Sequence, residues 1–243
     1  MQPKYDLKKI KVSVDEKTFE RAVGLHKSGK IKNFKFSPRG CSAIVEGKNT
    51  YSVFVSNTDI YRGACDCYVA QNKNELCKHM VATAIYAILG GEEIKEEDVR
   101  PVEFVCSGKL GKLNTEELSE VKKEISSAMK FIKCYTGNSK KWFEYTYSLL
   151  EGSRMLESTI SNLPVSKQTS DLVTKLLLRL DNKLCRGGVD DSDGAVGDFI
   201  YGTVEILKEF VKLDKNCLES FKIFKKQKTC FGWEKDLVEL IGK

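Results

Sequence analysis

Cys65, Cys67, Cys77 and His79 fall within fifteen residues of one another. Three thiols and an imidazole are soft or borderline ligands. Together they complete a tetrahedral shell with no open position, which is how structural zinc sites are built. Residues one apart point the same way on an extended strand, so Cys65 and Cys67 can clamp a single ion. The polar stretch Tyr68 to Leu76 can close the ring. Cys77 opens an apolar helical stretch that runs to Leu89, and a helix N-terminus favours thiolate over thiol. His79 then lies in the first turn and supplies the fourth ligand. A full shell leaves no position for water, so the pattern points to one structural Zn²⁺ rather than a catalytic one. Iron–sulfur ligation is less favoured, because a one-residue gap plus His is not a common cluster pattern. Three thiolates and Zn²⁺ leave a single negative charge, which Arg62, Lys73 and Lys78, close in sequence, can offset.

The elements that must position these ligands are legible upstream. Ser13-Val-Asp-Glu16 has capping-box spacing and predicts a helix from Asp15 to Lys27, with Phe19, Ala22, Val23 and His26 on one face. His26 is read as a packing or surface residue. Ile31–Ser37, Cys41–Glu46 and Thr50–Ser56 are short and rich in β-branched and aromatic residues. Pro38-Arg39-Gly40 and Gly47-Lys48-Asn49 separate them, which predicts an antiparallel meander. Asp59 to Ala64 can add an edge. An acidic run, Glu92 to Asp98, followed by Pro101, closes this unit.

Beyond it the period turns helical. One stripe joins Leu118, Val121, Ile125, Ala128, Met129 and Ile132. A second joins Leu172, Val173, Leu176, Leu177 and Leu180, and a third joins Val196, Phe199, Ile200, Val204, Leu207 and Val211. Shorter helices are expected at 139–151, 215–226 and 233–241. Narrow stripes need partners, so these helices must pack on one another. The expected fold class is α+β: a small antiparallel meander with a zinc-bound strand/helix module, then an all-α bundle or helix-hairpin array. The expected domains are 1–100 and 114–243, joined by a linker at 101–113.

Cys-x-Cys, nine residues, then Cys-x-His running straight into a helix of small and apolar residues resembles the SWIM zinc finger. The match extends through Ala43-Ile-Val-Glu-Gly, Tyr51-Ser-Val-Phe-Val and Cys77-Lys-His79-Met-Val-Ala82, and covers roughly residues 15–90. The resemblance implies a strand–strand–helix zinc module with Cys65, Cys67, Cys77 and His79 as ligands. It also implies an association with DNA binding and with protein–protein contacts, beside recombination, transposase and chromatin machinery. More weakly, Val189-Asp-Asp-Ser-Asp-Gly-Ala-Val-Gly197 resembles a segment in the helical half of prokaryotic SWIM-containing proteins, for which no activity is implied.

Charge is uneven. Of 40 Lys+Arg and 34 Asp+Glu, residues 1–64 hold 13 and 6, a net of +7. Residues 65–100 are net −3 and the rest net +2. The helix after Cys77 is too apolar to read a DNA groove, where Arg, Lys, Asn or Gln meet base edges. Nucleic-acid contacts, to DNA or RNA, are therefore expected from Lys30, Lys32, Lys35, Arg39, Lys48 and Arg62. These would go mainly to phosphate and be salt-sensitive. The helical half is expected to supply a second surface for a protein partner, and the competing expectation is a pure protein-interaction subunit with structural zinc and no nucleic-acid contact.

Other motifs fail on spacing. With Gly194 at position 6 of an EF-hand loop, Val189 and Ile200 would occupy positions 1 and 12, which need Asp and Glu. Asp190-Asp-Ser-Asp-Gly194 is therefore read as a polar turn whose Asp or Ser caps the helix over 195–212. Gly108-Lys-Leu-Gly111-Lys112 lacks the earlier Gly and the following Ser/Thr of a phosphate loop. Cys41, Cys106, Cys134, Cys185, Cys217 and Cys230 are dispersed singly and read as buried small apolar side chains. Two histidines in the whole chain leave little for a nucleophile–base pair, so no enzyme is expected. The N-terminus has no apolar segment of signal-peptide type, and no run approaches a bilayer span. A cytoplasmic, membrane-free protein with reduced thiols is expected.

Overall fold

The computed structural model describes residues 2–73, 75–99, 103–137 and 142–242, with the side chains of 143, 144 and 226 outside that description. The chain divides into two compact units, Met1–Pro101 and Val102–Lys243. The fold class is α+β: a four-stranded antiparallel sheet in the first unit and a mostly helical second unit.

The first unit begins with α1 (Leu7–Val12), capped by the Asp6 carboxylate. It continues with α2 (Glu16–Lys27). The cap of α2 differs from the sequence expectation. Asp15, not Ser13, accepts from the Thr18 N–H. Ser13 ends α1 instead, its hydroxyl donating to the Lys9 carbonyl. Phe19, Ala22, Val23 and His26 are buried as expected, and His26 Nε2 lies 2.8 Å from the Glu92 carbonyl.

The meander follows as β1 (Ile31–Phe36), β2 (Gly40–Glu46), β3 (Thr50–Ser56) and a short edge, β4 (Gly63–Cys65), in that order across the sheet. Period-two alternation sorts the faces. Cys41, Ala43, Val45, Val53 and Val55 point inward and are buried. Their alternates Ser42 and Ser52 are exposed, and Ile44 and Phe54 half-buried. A register shift between Lys32 and Lys35, with Asn33 at φ 51°, puts both lysines opposite Ile44 and Ser42 on that outer face. Gly40 is required at the β2 start: a Cβ there would lie 2.1 Å from the Val55 carbonyl oxygen.

Helix α3 (Lys78–Leu89) packs on the inner sheet face and on α1 and α2. It is buried nearly all round, from His79 to Ile85, which is why its sequence is uniformly apolar rather than striped. Gly90, in the left-handed region at φ 62°, ends it. A single turn, α4 (Glu96–Val99), follows.

The second unit is built from α5 (Thr115–Ala128), α6 (Trp142–Ser161), α7 (Lys167–Cys185) and α8 (Ala195–Leu213), then the short α9 (Leu218–Phe221) and α10 (Lys235–Ile241). The three stripes meet in one core that includes Ile125, Leu149, Leu156, Leu177, Leu180, Phe199 and Leu207. Helix α6 runs ten residues past the expected end at 151, while residues 138–141 lie outside the described ones. Gly152, inside α6, is a packing device. A Cβ on Gly152 would lie 2.8 Å from Ile132 Cγ1 and 3.0 Å from the Ala128 carbonyl, so its absence lets the end of α5 close onto α6. The helix expected over 215–226 is broken into 3₁₀ turns on either side of α9.

The stretch read as a linker, 101–113, packs on the helices where it is described. Phe104 stacks on Phe199 with centroids 5.5 Å apart. The Val165 N–H donates to the Lys109 carbonyl at 2.6 Å, and the Leu113 N–H donates to Gln168 Oε1. Phe104, Cys106 and Leu113 find partial cover there, while Val105 and Leu110 stay exposed. Before α8, Asp191 accepts from the Val196 and Gly197 N–H groups. The acidic turn is thus a helix cap, as its spacing implied. Among the described residues no helix is long and apolar enough to cross a membrane.

Candidate metal centre

Three pieces of backbone converge on one buried point. Cys65 is the last residue of β4, held in register against Val53. Cys67 follows after a bend, and Asp66 between them accepts from the Ser52 N–H with both carboxylate oxygens at 3.1 Å, tying the Cys-x-Cys turn to β3. Cys77 occupies the N-cap of α3 in extended conformation, and its thiol makes no cap hydrogen bond. His79 is in the first turn. A short π-helical turn, Val69–Lys73, starts the loop between the pairs, its Gln71 N–H bonded to the Cys67 carbonyl.

One ligand atom from each of Cys65, Cys67, Cys77 and His79 lies within 4.8 Å of the others, and all four residues are buried. His79 Nδ1 is 3.7 Å from Cys65 Sγ and 3.9 Å from Cys77 Sγ. A tetrahedral ion bound to sulfur at ~2.3 Å and nitrogen at ~2.05 Å requires edges of about 3.6 Å for N···S and about 3.8 Å for S···S. The cluster therefore has the size of a single-ion shell.

Its electrostatics point the same way. The hydrogen bond from Cys65 is the largest influence holding Cys77 down to about 4, and burial works against it. Cys65, as the donor, is pushed up. One buried thiolate is thus favoured beside a neighbouring thiol, and ionising the rest requires a cation at their centre.

The imidazole is held from behind. Tyr51 stacks on His79, ring centroids 4.1 Å apart and planes at 23°. The β2–β3 hairpin covers both: a Cβ on Gly47 would lie 3.3 Å from the Tyr51 ring and 3.4 Å from His79 Nε2. Tyr51, Gly47 and Asp66 were not read as site residues. Only the placement of Asp66 between two cysteines offered a signal. The contribution of Tyr51 depends on register, which spacing does not reveal.

The six expected nucleic-acid contacts do not form one patch. Lys32 and Lys35 share the outer sheet face. Lys30 lies beside Glu46 at 4.0 Å, at the end of the sheet that carries the Lys48 hairpin. Arg39 and Arg62 lie at the opposite end, joined through Asn57 and Ser56, and Arg62 is paired with Asp59 at 3.5 Å. Seven-residue strands separate the two ends by about 20 Å at ~3.3 Å per residue.

The dispersed cysteines need correction. Cys41 and Cys217 are buried, but Cys106 is half-buried and Cys134 exposed. Cys185 and Cys230 are exposed and paired as a disulfide, Cα–Cα 5.9 Å. The fold brings together two residues 45 apart, which no local pattern announces.

No family model, no curated protein and no solved structure matches this chain.

Proposed function

We propose that the first unit is a zinc-stapled binding module of the SWIM type, non-enzymatic, working as an adaptor. The observation that carries this reading is the buried convergence of Cys65, Cys67, Cys77 and His79 within 4.8 Å. The donor set, three thiols and an imidazole, suits Zn²⁺ and fills its preferred shell. When bound, the ion joins the end of β4 to the start of α3, and its role is to fix the fold. Such sites contribute on the order of 10 kcal/mol to folding.

The adaptor docks nucleic acid through the exposed outer sheet face. Lys32 and Lys35 there flank the half-buried Ile44 and Phe54. With the basic groups split among this face and two sheet ends, fewer than six phosphates are engaged at once. Two lysines predict a salt slope of about −2 on duplex DNA, against about −5 for all six cations. Filter binding of the full chain at two salt concentrations tests this. Absence of binding at low salt defeats the nucleic-acid reading.

The second reading is a protein-interaction module with no nucleic-acid contact. It is favoured by the apolar pair Ile44 and Phe54 on an otherwise open sheet face, and by the separation of the cations. Lys32→Glu with Lys35→Glu discriminates: it abolishes nucleic-acid binding under the first reading.

A further inference from the structure

We propose that Cys185 and Cys230 are a reversible thiol–disulfide site that latches the C-terminal segment onto α7. The geometry belongs to the second unit alone and is independent of the metal centre. The Cα atoms are 5.9 Å apart, inside the range a disulfide spans. Both residues are exposed, and exposed disulfides are the labile ones, open to attack by a thiolate.

A built feature brings the two cysteines together. Asp181, one turn before Cys185 on α7 and only 9% exposed, accepts from the Cys230 N–H and from Trp233 Nε1, both at 2.9 Å through Oδ1. Its Oδ2 lies 3.6 Å from Cys185 Sγ. Trp233 is buried and packs edge-on against Phe224, centroids 5.2 Å apart. The segment is therefore docked by one carboxylate and one indole, with the Cys230 sulfur delivered to Cys185. Residues 227–230 between these anchors are otherwise largely exposed. Closing the bond constrains that stretch, and opening it leaves the segment held by the Asp181 carboxylate and the Trp233 indole.

The oxidant is a low-molecular-weight disulfide. The thiolate of one cysteine attacks a sulfur of oxidised glutathione, forming a mixed disulfide and releasing one glutathione thiolate. The second protein thiol loses its proton and attacks the mixed disulfide, forming the Cys185–Cys230 bond and releasing the second glutathione. Two protein thiols are oxidised and one glutathione disulfide is reduced to two thiols. Excess reduced glutathione runs the sequence backwards. Cys134, exposed and free, is the internal control. With no thiol partner among the described residues, it stops at the mixed disulfide.

The test uses the full chain equilibrated across ratios of reduced to oxidised glutathione. Differential alkylation with peptide mapping reports the pair, and limited trypsin digestion at Lys228 reports the segment. The expected result is a Cys185–Cys230 cross-link that closes and reopens within the series. Lys228 cleavage should slow several-fold in the closed form, and Cys185→Ser should lose that redox dependence. Cys230→Ser, which approaches from the other chain segment, should lose the cross-link as well. A pair that stays reduced throughout overturns the proposal. So does a bond that excess reduced glutathione cannot open, or a cleavage rate indifferent to the cross-link.

Discussion

Tyr51 lies flat against His79, 4.1 Å between centroids and with the ring planes at 23°. The stack joins β3, an element of the meander, to the first turn of α3, and so fixes the ring that presents Nδ1 to Cys65 and Cys77. His79 Nε2 has no hydrogen-bond partner among the described residues, so the stack takes on the orienting role that a supporting hydrogen bond plays for other metal-binding imidazoles. Tyr51→Ala should therefore weaken metal retention by about tenfold, the low end for loss of a supporting contact. Tyr51→Phe should retain it. Competition with a chromogenic chelator measures both.

Removal of a ligand should be more severe. Cys65→Ser or His79→Ala is expected to abolish stoichiometric zinc and unfold the first unit, while the helices of the second remain. Metal analysis and hydrogen exchange, read unit by unit, check this. Chelation of the wild type should reproduce the exchange pattern, since the binding energy is folding energy.

Gly152→Ala probes the closeness of α5 and α6. Alanine raises intrinsic helix propensity by about 1 kcal/mol. Here its Cβ would meet Ile132 Cγ1 at 2.8 Å and backbone oxygen at 3.0 Å. The overpacking should win, giving a net loss of about 1–2 kcal/mol in denaturant unfolding of the second unit.

Asp191→Ala removes the acceptor for two N–H groups at the start of α8. The expected loss is about 1 kcal/mol. Calcium should shift the melting temperature of neither wild type nor variant, because the carboxylate is committed to the helix. A calcium-dependent shift in the wild type alone would contradict that assignment.

Burial pushes the Cys41 thiol up to about 11 from an ordinary value of 9. Below pH 9 the folded and unfolded chains both hold this proton. Between 9 and 11 the unfolded chain releases it first, so stability falls as pH rises, by at most about 1.4 kcal/mol per pH unit. Cys41→Ala should remove this component. The difference between the two stability–pH curves isolates it from lysines that titrate in the same window.

The candidate metal ligands were legible because they are local. Strand period, a polar loop and a helix N-terminus are all written within residues 65–79, and so is the α+β division, since periods of 2 and 3.6 differ along the chain. The six cations were grouped by the same local reasoning. Lys30 to Arg62 cluster in sequence, yet a meander folds such a segment back and forth, and distributes its charges over one face and two ends. The 101–113 stretch looked like a linker because cover for Phe104 on Phe199 is a property of a neighbour far along the chain. The chain by itself indicated the four candidate ligands, the strands and the helical stripes, all set by local periodicity and ligand chemistry. Only the tertiary structure decided that Tyr51 backs His79, that Asp181 holds Trp233 and that Cys185 meets Cys230. These contacts depend on register and packing between distant segments, which no short window of sequence encodes.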